Sequence, residues 1–228
     1  MAYRALKRFV GFVVGWLVAI IAIFHIAAAG SLVLLRWINP PTTTVQIERR
    51  VQAWIHGQPY HKRYTYVPLN RISPDLQHAV ISAEDGRFYE HHGIDWKEVQ
   101  QVIDQDLEDR RVGRGASTIT QQLLKNLFLS THRSFLYKGL EFTLAPVADR
   151  ILPKQRVLEL YLNVIEWGPG IYGAEEAARG WYGKPASQVN RIEAARLAAV
   201  IPSPLRRKPA RMTAYSNAIL RRMTQRSW

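Results

Sequence analysis

Residues 9–35 contain no formally charged side chain, and His25 is the one ionisable group in that run. About 20 consecutive apolar residues cross a bilayer, so this run suffices with some tilt. It is too long for the core of a signal peptide. Ala27-Ala28-Ala29-Gly30 offers a cleavage-like alternative, but an uncleaved anchor is the better reading. Arg4, Lys7 and Arg8 precede the run. The positive-inside rule therefore makes residues 1–8 cytoplasmic and residues 9–35 a transmembrane helix, with everything beyond about Arg36 outside. Trp37 suits the outer interface.

This anchor changes the meaning of the charge. All 18 acidic residues lie after Arg36, and the outer part holds 27 basic and 18 acidic residues, a net charge of +9. A basic domain tethered to a bilayer points to an anionic partner at the membrane surface. Nucleic acid is the usual rival, but it is not normally found across that membrane, and no nucleic-acid motif is visible. With no cysteine, the chain can form no disulfide, thiolate metal site or thiol nucleophile.

Residues 39–44, Asn-Pro-Pro-Thr-Thr-Thr, read as a stiff linker within a membrane-proximal segment, 36–72. Residues 45–55 look helical, and 60–67 read as a short strand or extended arm. From Ile72 onward the signals are mostly helical, which makes 73–228 the larger part of one mainly α-helical outer domain. Ser73 and Pro74 suit a helix start, and Leu76, Ala79, Val80 and Ala83 form a helical stripe. Residues 96–107 read as a helix. Asn190 and Glu193 read as a capping box for a helix running to Pro202. Residues 212–226 read as a basic terminal helix.

Four stretches carry chemistry. In the first, 84–93, five ionisable side chains and two histidines crowd into Glu-Asp-Gly-Arg-Phe-Tyr-Glu-His-His-Gly. Glu84 falls at a helix end, where the dipole disfavours its ionised form and suits it to act as a general base. A solvated acidic turn is the plainer reading of that triplet alone. The second, 114–122, reads Arg-Gly-Ala-Ser-Thr-Ile-Thr-Gln-Gln and leads to Lys125. Its hydroxyls and amides suit sugar hydroxyls or phosphate oxygens, and they equally suit a capped helix start. In the third, Lys138 and Glu141 are neighbours on one helical face. In the fourth, 154–163, Val157 with Tyr161 and Leu158 with Leu162 make a buried stripe that supports a cleft. Between these stretches, Phe128 and Phe135 belong to an apolar run that is either core or a segment dipping into the membrane interface.

Together these stretches resemble the peptidoglycan glycosyltransferases, the family shared by monofunctional transglycosylases and one half of bifunctional penicillin-binding proteins. The pattern E-D-x-x-F-x-x-H-x-G matches at Glu84, Asp85, Phe88, His91 and Gly93. G-x-S-T-I-T-Q-Q matches from Gly115 to Gln122, and K-x-x-[IV]-L-E-x-Y-L-N from Lys154 to Asn163. The chain departs from the family where R-K-x-x-E has Tyr137 for its arginine, where R-x-x-x-[VI]-L has Tyr215, and where Asp149 replaces a usual glutamate. The short length is closest to the monofunctional members.

The resemblance implies a lysozyme-like helical lobe with a smaller membrane-proximal lobe and a cleft between them. It implies a periplasmic catalytic domain on the bacterial inner membrane. The implied reaction polymerises lipid II into β-1,4-linked glycan, with inversion and release of undecaprenyl pyrophosphate. Glu84 and Glu141 are the implied catalytic residues. Lys125, Lys138 and Arg133 would meet the pyrophosphate. Asp85, Phe88, His91, Ser117, Thr118, Gln121 and Gln122 would contact substrate. Glu141 would hold a divalent cation, Mg²⁺ or Mn²⁺, or order the cationic cluster. No organic cofactor is expected. Cell-division or cell-wall synthesis proteins are candidate partners. The rival readings are a lytic, glycan-cleaving enzyme of similar fold and a catalytically weak lipid II-binding scaffold.

Overall fold

The structure is a computed structural model that describes residues 2–109, 115–132 and 134–228. Arg114 and Arg133 lie outside the described residues. The first element, α1 (Ala2–Leu34), contains a 29-residue stretch, Leu6–Leu34, that is long and apolar enough to cross a membrane. Most of its side chains face outward; Phe9, Phe12, Trp16, Leu17 and Ile23 are all more than half exposed. Only its last third is packed, through Ala28, Leu32 and the following Leu35.

After the linker comes α2 (Thr44–Ile55), capped by the Thr43 hydroxyl, and then β1 (Arg63–Tyr64) in the expected extended arm. The helices α3 (Pro74–Glu84), α4 (Trp96–Asp109), α5 (Ile119–Phe128), α6 (Phe135–Ile151) and α7 (Lys154–Val164) follow. Next are β2 (Glu166–Gly168), β3 (Ile171–Tyr172), α8 (Ala174–Tyr182), α9 (Arg191–Ala198) and α10 (Thr213–Gln225). The strands form one small sheet in the order β1-β3-β2, with β1 parallel and β2 antiparallel to β3.

Two packing groups position the cleft. In one, α5 packs against α6 and α7 through Ile119, Leu123, Leu124, Leu144, Ala145 and Leu158, all fully buried. In the other, α3 packs against α9 and α10 through Leu76, Ala79, Val80, Leu197, Ile219 and Met223. These apolar surfaces leave water together, which is the main driving term for docking the helices.

The helix ends differ from the sequence pattern at α3 and α9. Ser73 precedes α3, but its side chain makes no cap bond. Its carbonyl accepts from Leu76 and Gln77, and Pro74 supplies the preset first turn. The Asn190–Glu193 capping box forms as the spacing predicts. The helix it opens ends at Ala198, and turns carry the chain on to Pro202.

Candidate active site

Glu84 is the last residue of α3, at the wall of a cleft of about 690 Å³. The helix ends there because the chain turns at Asp85 into the 85–93 loop. Ser117, Thr118, Gln122 and Lys125 face the same cleft from α5 and the segment before it. Two stretches more than 30 residues apart in sequence are thus brought to one surface.

A hydrogen-bond relay fixes the Glu84 side chain. Tyr161 on α7 donates its hydroxyl to Gln122 Oε1 at 2.8 Å, and Gln122 Nε2 donates to Glu84 Oε2 at 2.8 Å. An ionised carboxylate can only accept, so the N–H end of the amide faces Glu84 and its carbonyl end is left to accept from the phenol. Tyr161 is fully buried, and burial with the nearby Glu84 and Asp85 charges pushes its hydroxyl well above the usual tyrosine range. It therefore remains a neutral donor across ordinary pH.

The rest of the first stretch is scaffold. His91 Nε2 donates to Asp85 at 2.9 Å, and Asp85 Oδ2 accepts the Ile119 backbone N–H at 2.9 Å. Asp85 thus places its charge on the positive end of α5 and ties the 85–93 loop to it. Phe88 is fully buried, with the Lys154 ammonium 4.7 Å above its ring. Asp85 borders the cleft, but Phe88 and His91 do not line it. Gly93 has φ +85°, and a Cβ there would strike the Ala145 carbonyl. Only glycine permits both that conformation and that approach.

The second stretch divides similarly. Thr118 and Gln121 form a complete capping box at the start of α5, and Thr118 also donates to the Gly93 carbonyl at 2.7 Å. Gln121 is fully buried. Of the four residues expected to contact substrate, Ser117, Thr118 and Gln122 reach the cleft and Gln121 does not.

Lys138 and Glu141 pair at 2.8 Å on α6, and Lys138 also donates to the Ser117 hydroxyl at 2.8 Å. That bond couples the third stretch to the cleft wall. Glu141 is buried. It offers one carboxylate already held by an ammonium, which does not fit a resident divalent cation. Among the described residues, Asp85, His91 and Asp95 place one ligand atom each within 4.8 Å of one another. Arg87 grips Asp95 through two bonds of 2.9 Å, while His91 and Ile119 engage Asp85. That donor set is committed to protein partners as well.

The fourth stretch supports the cleft from behind. Lys154 pairs with Asp149 at 2.6 Å, Glu159 accepts from Tyr66 and the Leu69 N–H, and Asn163 bonds both backbone groups of Val67. The carboxylate at Asp149, one methylene shorter than the usual glutamate, still reaches its lysine.

Sequence reasoning did not assign Arg207, Arg222 and Arg226, which line the same cleft as Gln122 and Lys125. Tyr215 and Arg222 fall at i and i+7 on one face of α10, and Arg226 follows as its C-cap. The Arg207 guanidinium lies 5.5 Å over the Tyr215 ring, within cation–π range. The basic character of α10 was legible; the side it turns to the cleft was not.

The transglycosylase family model matches residues 49–225. Relatives named biosynthetic peptidoglycan transglycosylase include one from Pseudomonas putida W619, 44% identical over 191 residues, covering 82% of this chain and 80% of the relative. Another, from Pseudomonas aeruginosa PAO1, is 40% identical over 205 residues, covering 90% and 88%. A third, from Xanthomonas campestris pv. campestris B100, is 43% identical over 201 residues, covering 88% and 81%. The matched span runs from α2 to the end of α10 and takes in both cleft walls, so the chain belongs to the transglycosylase family.

Proposed function

We propose that the chain is a peptidoglycan glycosyltransferase that polymerises lipid II into β-1,4-linked glycan. The observation that carries this reading is the Glu84 carboxylate, oriented by Gln122 in a cleft that Lys125, Arg207, Arg222 and Arg226 also line. Its substrates are lipid II and the growing lipid-linked strand. The 4-hydroxyl of the acceptor attacks the anomeric carbon of the donor, and the polyprenyl diphosphate departs from the opposite face, which inverts the α linkage to β.

Glu84 takes the hydroxyl proton as the carbon–oxygen bond forms. The Gln122 amide holds its carboxylate in place before substrate arrives. Lys125 on the cleft wall and Lys138, reached through Ser117, stabilise charge on the departing diphosphate. Neutralisation is assigned to these ammoniums, since the acidic groups brought together among the described residues are engaged by protein partners. Glu141 holds Lys138 in place.

The apolar α1 supports a single-pass anchor. With Arg4, Lys7 and Arg8 on the cytoplasmic side, the domain stands outside the bacterial inner membrane, where lipid-linked substrate is displayed. The test is incubation of the full chain with lipid II in vesicles and, in parallel, with preformed glycan. Polymer and free polyprenyl diphosphate are expected. Cleaved glycan without polymer indicates a lytic enzyme, and binding without either product indicates a scaffold.

A further inference from the structure

The positive charge of the outer domain sits at one end of the sequence. Residues 194–228 hold eight basic and no acidic side chains, while residues 37–193 hold 19 basic and 18 acidic. The net charge of +9 is thus carried almost entirely by the segment from the middle of α9 through α10.

The fold lays this charge along one element beside the cleft. The Arg207 guanidinium lies over the Tyr215 ring, which places the 206–208 run beside the first turn of α10. Arg211 closely precedes that helix, Arg221 and Arg222 sit in its last turns, and Arg226 caps it. Thirteen residues at 1.5 Å each make α10 about 20 Å long, with basic groups at both ends. Arg207, Arg222 and Arg226 line the cleft with Glu84, and Arg206, Lys208, Arg211 and Arg221 are exposed outside it.

Among the described residues, none of these seven side chains pairs with a carboxylate. The contacts they make are to neutral groups. Arg207 donates to the Ala199 carbonyl at 2.9 Å and Arg222 to the Ser82 carbonyl at 3.4 Å. Arg226 lies beside the Trp228 ring, with its tip against Gly86, where a Cβ would strike it. Like charges held together repel one another, and an anion from outside relieves that cost.

A single diphosphate is met by Lys125 and Lys138 and does not need a strip of about 20 Å. A strip of that length suits anions that repeat. The sugars of a glycan strand are neutral, and the charges that recur along it are the carboxylates of its peptides. Guanidinium groups grip carboxylates in a bidentate manner. Anionic lipid is the rival occupant. Continuity with the cleft favours the strand, and so does packing, because the membrane helix α1 lies on α6 while α10 lies on α3 and α9.

We propose that the strip from Arg206 to Arg226 is a docking surface for the peptide carboxylates of the glycan strand that occupies the cleft. This assignment rests on the glycosyltransferase reading of the cleft.

The test uses the full chain in neutral detergent and labelled, uncrosslinked glycan strands, either bearing their peptides or stripped of them. Binding is read by fluorescence anisotropy. The parent should bind the peptide-bearing strands more tightly, and the preference should vanish at about 1 M salt, where charges are screened beyond about 3 Å. The variant Arg206→Gln/Lys208→Gln/Arg211→Gln/Arg221→Gln replaces four exposed groups outside the cleft. It should raise Kd for peptide-bearing strands on the order of tenfold, since each exposed pair is weak, and leave stripped strands unaffected. A parent that binds both strands equally overturns the proposal without any variant. So does a folded variant, checked by its unfolding midpoint, that binds peptide-bearing strands like the parent. A variant that loses binding to phosphatidylglycerol vesicles but keeps strand binding assigns the strip to the membrane and also overturns it. Separately, a parent that makes no polymer from lipid II contradicts the glycosyltransferase reading, whereas the strand measurements decide the surface.

Discussion

Tyr161→Phe removes one oxygen of a buried side chain that does not line the cleft. The relay nevertheless makes it a catalytic variant. Without the phenol, Gln122 Oε1 loses its donor and the amide its second anchor, which loosens a hydrogen bond to a charged group worth about 1.5–3 kcal/mol. Converted at about 1.4 kcal/mol per tenfold, kcat should fall on the order of 10- to 100-fold, with KM little changed. Stability should fall by about 1–3 kcal/mol for the unsatisfied acceptor. Gln122→Leu should be at least as severe, and the double variant no worse than Gln122→Leu, because both act through one contact. The assay is continuous polymerisation of lipid II, with urea unfolding on the same samples. A folded Tyr161→Phe enzyme with kcat within twofold of the parent would refute the relay.

Phe135→Ser with Leu136→Ser should weaken vesicle binding of a chain lacking residues 1–36 while leaving its unfolding midpoint unchanged, because both side chains are exposed; sedimentation with vesicles reads this out. Phe128 is only partly exposed and packs against the core, so Phe128→Ser should lower the midpoint. Tyr137→Arg should raise kcat/KM severalfold by adding a charged donor one residue before Lys138; an unchanged value would detach this stretch from the leaving group. Burial alone would raise the Asp95 carboxyl, but the Arg87 and Glu98 bonds outweigh it and hold it below its ordinary range. Its contribution is therefore present above the ordinary aspartate range and fades as pH falls through the depressed value. Asp95→Asn should cost on the order of 1–3 kcal/mol at pH 7 and clearly less at the acid end, measured by urea unfolding at both.

Apolar length made α1 readable, the helix end made Glu84 readable as a candidate base, and the i, i+3 spacing paired Lys138 with Glu141. Their partners were another matter. Asp85 looks like a substrate contact in sequence, yet its carboxylate serves the Ile119 N–H, 34 residues on. Thr118 and Gln121 look equally like ligands and caps, and burial decides for the cap. Ser73 looks like a cap, but the backbone entered α3 with its carbonyl in use instead. Arg222 and Arg226 carry a plain i, i+4 spacing, but which side faces the cleft depends on how α10 packs on α3 and α9. Local pattern names such residues, and only long-range packing says what they touch.

The central claim is that Glu84 removes the acceptor proton. Glu84→Gln keeps the size and the hydrogen-bonding reach of the side chain but takes away its basicity. Single-turnover polymerisation of lipid II by the folded variant measures the claim without interference from product release. The account predicts a fall of at least roughly 10²–10⁴ in the chemical rate, the usual worth of positioned proton transfer, with lipid II binding retained. A Glu84→Gln enzyme that polymerises at a near-parental rate would contradict it.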